Sequence, residues 1–233
     1  MSDRFYLPTP PTDGHAVIDG PEAHHLLHVM RAQPGDEVTL FDGQGAEYTA
    51  SVEKCGRSEV LLAVGKRTEV DRELGVRITV GVALPKGDRQ KWLVEKLTEL
   101  GASRLVPLST ERSVADLKGK SLEKLRRGVI EASKQCGRNT LLQIDEPQPL
   151  AGFIASATGT KWIAHPSGEP LGAQSVSDQV SLLVGPEGGF TDEEVAAAIE
   201  QGWQCVGLGP SILRIETAAL ALVTVVASKV PTD

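Results

Sequence analysis

The chain has 233 residues, of which 40% are hydrophobic and 24% are charged, and its formal net charge is −7 at pH 7. This overall acidity argues against a nucleic-acid partner that is bound through bulk positive charge. No apolar run reaches the about 18 residues of a transmembrane helix, and three widely spaced cysteines favour neither a disulfide framework nor a zinc ribbon. We expect a cytoplasmic protein without a membrane segment or a metal ion.

The first 66 residues favour short β-strands. Runs of β-favouring residues at 37–41, 47–55 and 59–66 are separated by glycine-containing turns. A short helix begins at Pro21, before these strands. The pattern predicts a small barrel or sandwich.

The polar stretch 67–75 has weak periodicity and indicates a linker, after which strand and helix patterns alternate. The predicted strands are 76–83, 104–108, 161–164, 180–184 and 203–207, and the predicted helices are 88–100, 122–136, 191–201 and 217–229. This alternation is typical of an α/β domain with a mainly parallel sheet. We therefore expect two domains, residues 1–70 and residues 75–233.

The charge is distributed in three blocks along the chain. Residues 1–75 carry a net charge of −6, residues 76–140 of +7 and residues 141–233 of −8. An anionic ligand is therefore expected at the middle block, where Lys134 and Arg138, four residues apart, would share one face of a helix. The alternative is a solvated helix surface, which runs of charge usually form.

A glycine-rich turn follows the predicted strand 180–184, in the sequence LVGPEGGFTDEE. Its glycines, Gly185, Gly188 and Gly189, would let the backbone approach a ligand closely. Thr191 and Glu194 have the spacing of a capping box that begins the next helix. Ligands bind at the carboxyl ends of parallel strands, so this turn is a candidate binding loop. The alternative is a tight connection between a strand and a helix.

A second loop, in the sequence VGLGPSILRIETA, precedes the last predicted helix. It contains Arg214 and Glu216 among apolar neighbours, in a part of the chain that has few basic residues. Such an arginine suits the positioning of an anion or the stabilisation of a developing negative charge. The alternative is a structural ion pair between Arg214 and Glu216. The chain has neither a P-loop nor a dinucleotide-binding fingerprint.

Together these segments resemble the SPOUT class of knotted methyltransferases, and most closely the bacterial ribosomal RNA small subunit methyltransferase E family. The likeness includes four segments, which occur in the order found in that family. From the N- to the C-terminus they are ALPKGDRQKWLVEKLTELG, EASKQCGR, LVGPEGGFTDEE and LGPSILRIETAAL. Near the start, RFY (4–6) and HHL (24–26) are also similar to the family's signature. Ser211, Ile215 and Gly128 differ from the residues usual in the family.

The resemblance implies a trefoil-knotted α/β domain after a PUA-like RNA-binding β-barrel. It implies transfer of a methyl group from S-adenosylmethionine to N3 of a uridine in 16S rRNA of the small ribosomal subunit, by a homodimer. Two alternatives remain open: a ribose 2′-O-methyltransferase of the same superfamily, and a non-catalytic RNA-binding protein of ribosome assembly. The basic block, residues 76–140, lies between two acidic blocks of the sequence. This distribution of charge favours action on an assembled subunit over action on free RNA.

The resemblance also assigns roles to residues. The expected cofactor-binding residues are His165, Pro166, Val184, Gly185, Pro186, Gly188, Gly189, Leu208, Gly209, Ile212 and Leu213. The expected catalytic residues are Arg214, Glu216, Glu187 and Arg138. The expected RNA-binding residues are Arg31, Lys86, Arg89, Arg112, Lys134 and Arg138.

Overall fold

The computed structural model describes residues 4–113, 119–172 and 175–230. The chain divides into two compact units, each of which contains two stretches of sequence. The first unit combines the residues up to Glu73 with Ser133–Leu141, and the second combines Leu74–Ala132 with the residues from Leu142 onward.

The first unit is built on a five-stranded sheet. Its elements are β1 (Arg4–Tyr6), β2 (His15–Asp19), α1 (Gly20–His24), a π-helical turn (His25–Val29), β3 (Glu37–Phe41), β4 (Ala46–Cys55) and β5 (Glu59–Glu69). The strand order is β1-β3-β4-β5-β2, with β1 parallel to β3 and the other neighbours antiparallel. Buried aliphatic and aromatic side chains from these elements form its core, among them Phe5, Leu26, Leu40 and Leu62.

The second unit is an α/β structure. Its strands are β6 (Arg77–Val82), β7 (Arg104–Ser109), β8 (Gln143–Ile144), β9 (Gln148–Pro149), β10 (Thr160–Pro170), β11 (Gln179–Val184) and β12 (Gln204–Gly207). Its helices are α2 (Asp88–Glu99), α3 (Lys120–Cys136), α4 (Leu150–Ser156), α5 (Asp192–Glu200) and α6 (Ile215–Ala227), and the last residues of α3 belong to the first unit. The sheet order is β12-β10-β11-β6-β7-β8, all pairs are parallel, and β9 also pairs with β7.

The predicted parallel sheet is confirmed, and so is the class of each predicted helix and strand. In β11 the five residues from Val180 to Val184 are all buried, as expected for a strand inside a sheet that is covered on both faces. Helix α6 packs against β6, β11 and α2. None of the helices in the described ranges combines the length and the apolar character that a membrane crossing requires.

Strand β10 is longer than predicted because it pairs with β12 twice. Ala164 and Glu169 both align with Val206, so the chain between them bulges out of the sheet. The backbones then approach so closely that a Cβ atom on Gly168 would lie 2.5 Å from the nitrogen of Val206. A Cβ atom on Gly207 would lie 2.5 Å from the carbonyl oxygen of Gly168. Both positions therefore require glycine.

At Ser133–Leu141 the chain returns to the first unit, and buried ion pairs hold this returning segment there. Lys134 Nζ donates to Glu22 Oε1 at 3.0 Å, and the Arg138 guanidinium pairs with the carboxylate of Glu73. The two basic side chains are 8% and 4% exposed. The prediction that they share one helix face was wrong, because α3 ends at Cys136 before Arg138 is reached.

Asn139 and Glu47 complete this polar cluster in the first unit. Glu47 Oε2 accepts hydrogen bonds from Arg4 at 2.9 Å, from Arg72 at 3.1 Å and from Asn139 at 3.2 Å. Partial burial raises the pKa of Glu47, but these three donors outweigh it and lower the pKa from 4.5 to about 2. The ionised carboxylate therefore holds three separate segments of the chain together.

We expect the first unit to lose stability in acid through Glu47. A carboxyl group whose pKa is lowered by folding stabilises the folded state above its unfolded pKa, and this contribution disappears as pH falls from about 4.5 to about 2. The shift corresponds to roughly 3 kcal/mol at most. Urea unfolding between pH 6 and pH 2.5 would show a smaller loss for Glu47→Gln than for the wild type. Glu37→Gln, on the exposed side of β3, is the matched control and should follow the wild type; identical pH profiles for all three proteins would contradict the assignment.

Candidate active site

Four loops follow the carboxyl ends of β6, β7, β11 and β12, and these ends lie at one edge of the parallel sheet. They comprise residues 83–87, 110–113, 185–191 and 208–214. The first loop is joined to the end of β11, from which the third loop starts, since Ala83 N donates to the carbonyl oxygen of Val184 at 3.1 Å. Ligands of open α/β sheets bind at this edge.

The glycine-rich loop is a tight turn that leads into α5. Gly189 N donates to the carbonyl oxygen of Pro186 at 2.8 Å, and Gly189 has a φ of +69°, which favours glycine. Thr191 Oγ1 accepts from Glu194 N at 3.2 Å while Glu194 Oε2 accepts from Thr191 N at 2.9 Å. The predicted capping box is confirmed.

Arg112 fixes the shape of this loop. Its Nη1 donates to the carbonyl oxygen of Gly188 at 2.8 Å and to that of Phe190 at 3.4 Å. The other carboxylate oxygen of Glu194, Oε1, accepts from the backbone nitrogen of Glu111 at 2.9 Å. Two neighbouring residues after β7 therefore hold the glycine-rich loop and the start of α5.

Arg89, in the first turn of α2, joins the two loops that the sequence marks as candidates. Its Nη2 donates to Glu187 Oε1 at 3.1 Å, in the glycine-rich loop. Its Nη1 lies 3.7 Å from Glu216 Oε1, in the first turn of α6. The Glu187 side chain is 50% exposed, whereas that of Glu216 is 8% exposed. The predicted RNA-binding residue Arg89 thus has two acidic partners at the sheet edge.

Glu216 keeps one oxygen without a partner. Its Oε2 atom is buried and has no hydrogen-bond partner within the described part of the chain. An unsatisfied buried polar atom is uncommon in folded proteins and requires an explanation. Thr110 Oγ1, after β7, is also buried and without a hydrogen-bond partner among the described residues. Nothing in the local sequence pattern distinguishes this threonine, so it was not selected as a candidate.

Arg214 is exposed, and in the described ranges its side chain forms no ion pair. It is the N-cap residue of α6, directly before the helix, and its carbonyl oxygen accepts from Ala218 N at 2.9 Å. The structure does not contain the alternative ion pair between Arg214 and Glu216, because Glu216 pairs with Arg89 instead. The guanidinium of Arg214 is left available at the edge of the sheet.

The other expected cofactor residues lie in or beside these loops. His165 Nδ1 is 2.8 Å from Ser167 Oγ, in the bulge of β10, where Pro166 is exposed. Val184 and Pro186 are buried, while Gly209 has a φ of +113° and Ile212 is 92% exposed. The remaining members of the set, Leu208 and Leu213, are half-buried. The loop after β12 thus presents apolar side chains and an open glycine.

Besides Arg89 and Arg112, described above, the expected RNA-binding residues fall into two groups. Lys86 and Arg31 are exposed, and within the described ranges neither forms an ion pair. Arg31 also has a φ of +58°, an uncommon conformation for a residue other than glycine. Lys134 and Arg138, by contrast, are buried in ion pairs of the first unit. The described residues include no cluster of three or more side chains suited to a metal ion.

The fold and this site define an RNA methyltransferase as the class of protein. The family model described as "RNA methyltransferase domain" matches residues 72–227, and the model described as "RNA methyltransferase PUA domain" matches residues 18–64.

Relatives and solved structures narrow the class. A ribosomal RNA small subunit methyltransferase E from Bacillus subtilis is 32% identical over 87% of this chain and 86% of its own. One from Synechocystis is 34% identical over 84% of this chain and 67% of its own. The Neisseria gonorrhoeae enzyme of that name, bound to S-adenosylmethionine, has a TM-score of 0.87 at 32% identity and covers 97% of this chain and 96% of its own. A putative methyltransferase from Legionella pneumophila, also with this cofactor, has a TM-score of 0.90 at 32% identity and covers 98% of both chains. The chain belongs to the ribosomal RNA small subunit methyltransferase E family.

Proposed function

We propose that this protein transfers a methyl group from S-adenosylmethionine to N3 of a uridine in 16S rRNA of the small ribosomal subunit. The observation that carries the proposal is the set of loops at the carboxyl edge of the parallel sheet, in a fold shared over nearly the whole chain with structures bound to S-adenosylmethionine. The match to methyltransferases of the small-subunit RNA supports the substrate.

The residues at this edge fit the cofactor. Gly189 and Gly209 have positive φ, and a Cβ atom added to either would meet no atom within 4 Å, so the backbone is open there. The buried Glu216 Oε2 has no partner in the described part of the chain. The loops 184–189 and 208–213, with His165 and Pro166, would supply backbone donors and acceptors and an apolar wall. The bound cofactor supplies an electrophilic methyl group on its sulfonium.

The residues of the protein then have to orient the uracil and manage its charge. When N3 loses its proton, negative charge develops on O2 or O4 of the base, and an arginine nearby stabilises it. Arg214 is suited to this role because its guanidinium is exposed and is not occupied by an ion pair within the described ranges. Arg138 would first have to leave Glu73. Glu187 and Glu216 are the candidates for accepting or orienting the N3 proton.

Nucleotide mapping tests the function and its alternatives. 16S rRNA from a strain without this gene, and from the same strain carrying it, is digested and analysed by mass spectrometry. We expect one uridine to gain a methyl group on its base when the gene is present. A methyl group on ribose would support the 2′-O alternative, and no difference in modification would support the non-catalytic RNA-binding alternative. Equal rates on free 16S rRNA and on the assembled subunit would contradict the preference for the subunit.

The affinity for the cofactor should depend on the size of the side chain that replaces Gly188. A Cβ atom there would lie 3.4 Å from the nearest atom of Arg112, an ordinary contact, so Gly188→Ala should keep cofactor affinity within about threefold. The two additional methyl groups of Gly188→Val would occupy the open side of the loop, and we expect a loss of at least about tenfold. Calorimetry with S-adenosylmethionine measures both; unchanged affinity of Gly188→Val would show that the cofactor does not approach this glycine.

We also propose that the protein is a cytoplasmic homodimer and that its second unit contains a trefoil knot. Two apolar side chains of the second unit support a contact between copies: Trp92 on α2 is 45% exposed and Ile212 is 92% exposed. Light scattering after gel filtration tests the dimer, and a mass of one chain at micromolar concentration would contradict it.

A further inference from the structure

We infer that Glu216 Oε2 is the acceptor for the α-ammonium group of the methionine part of S-adenosylmethionine. This inference rests on the proposed function, since it presumes that the cofactor binds at this edge. It begins from the orphaned carboxylate oxygen, which is buried and has no hydrogen-bond partner among the residues described. Burying a carboxylate oxygen without a donor costs free energy, so a donor from a bound ligand accounts for it.

Glu216 lies at a position where the fold stabilises negative charge. It lies in the first turn of α6, where the free backbone N–H groups of the helix stabilise negative charge. Arg89 approaches the other oxygen, Oε1, at 3.7 Å. The arginine thereby holds the side chain in place and leaves Oε2 for a second donor.

The charges around Arg89 indicate what kind of donor is missing. Arg89 pairs with both Glu187 and Glu216, so the three side chains together carry one unbalanced negative charge. Arg214 does not balance it, because it forms no ion pair with the described residues. A cationic ligand group would neutralise the cluster, and buried charges in proteins are generally paired.

Only one group of the cofactor is both cationic and a hydrogen-bond donor. The sulfonium is positive but has no N–H, and the adenine amino group and the ribose hydroxyls are neutral. The α-ammonium carries three N–H donors, and a hydrogen bond between two charged groups is about twice as strong as one between neutral groups. The N3–H of the target uracil is a neutral donor and therefore the weaker candidate for Oε2.

The test compares ligands with and without the ammonium group by calorimetry. S-adenosylhomocysteine carries it; its analogue with hydrogen in place of the amino group, and 5′-methylthioadenosine, do not. For Glu216→Gln we expect an about 10- to 100-fold weaker affinity for S-adenosylhomocysteine and affinities within about threefold of the wild type for the other two ligands. Glu193→Gln, the same change in the exposed first turn of α5, is the matched control and should bind all three like the wild type.

The outcomes separate this inference from the proposed function. Unchanged affinity of Glu216→Gln for S-adenosylhomocysteine, or an equal loss for all three ligands, would overturn the inference while leaving cofactor binding intact. A wild-type protein that binds none of the ligands would overturn the proposed function as well. If Glu216→Gln does not fold, as judged by thermal unfolding, the wild type alone decides: it should bind the deaminated analogue about 10- to 100-fold more weakly than S-adenosylhomocysteine, and equal affinities would overturn the inference.

Discussion

Gly168→Ala is expected to destabilise the second unit by about 3 kcal/mol or more, because the added methyl group would lie 2.5 Å from the backbone nitrogen of Val206. Backbone atoms of a paired strand have no alternative rotamer, so β10 and β12 would have to separate. For a chain of this size the melting temperature should fall by about 6–12 °C.

Gly128→Ala provides the control for this change in thermal unfolding. Gly128 lies within α3, and a Cβ atom there would meet nothing within 4 Å. The same substitution should therefore stabilise the protein, by about 0.5–1 kcal/mol, through a better helix propensity. A melting temperature of Gly168→Ala within 2 °C of the wild type would mean that the two backbones are not as close as the structure places them.

Arg214→Ala is expected to lower the rate of methylation by at least about 100-fold and to leave cofactor affinity within about threefold of the wild type. The expected loss is that of a positive group placed where negative charge develops on the base. Cofactor affinity should persist because the side chain of Arg214 is exposed and makes no ion pair within the described residues. Single-turnover methylation of small ribosomal subunits measures the rate, and calorimetry measures the affinity.

Arg77→Ala is the matched control for Arg214. Arg77 is an exposed arginine of the same unit, but it begins β6 and therefore lies at the opposite, amino-terminal edge of the sheet. Its removal should change the rate less than about threefold. Full methylation by Arg214→Ala would remove this arginine from the mechanism, whereas an equal loss in both variants would indicate a general effect of charge on RNA binding.

The sequence predicted those elements whose signals are local. Alternating strand and helix patterns predicted the parallel sheet, and the spacing of Thr191 and Glu194 predicted the capping box that the structure contains. Strands β1, β2, β8 and β9 and helix α4 were missed. Each is short, and β1 and β2 are formed by pairing with β3 and β5, which are distant in sequence.

The basic block illustrates the difference between composition and position. Its net charge of +7 directed attention to residues 76–140, but charge in the sequence does not reveal the partner of each side chain. Lys134 and Arg138 pair with Glu22 and Glu73 in the first unit. Their RNA-binding role stays a prediction, and the structure gives both a role in holding the returning segment.

By itself the sequence determined the class of fold, the two candidate loops and the family, because each depends on residues close together in the chain. The tertiary structure alone decided which charged groups meet. Arg89 lies 98 residues from Glu187, and the hydrogen bond between them depends on strand order and helix packing. The unpartnered oxygen of Glu216 is likewise a property of burial in three dimensions, which no local pattern encodes.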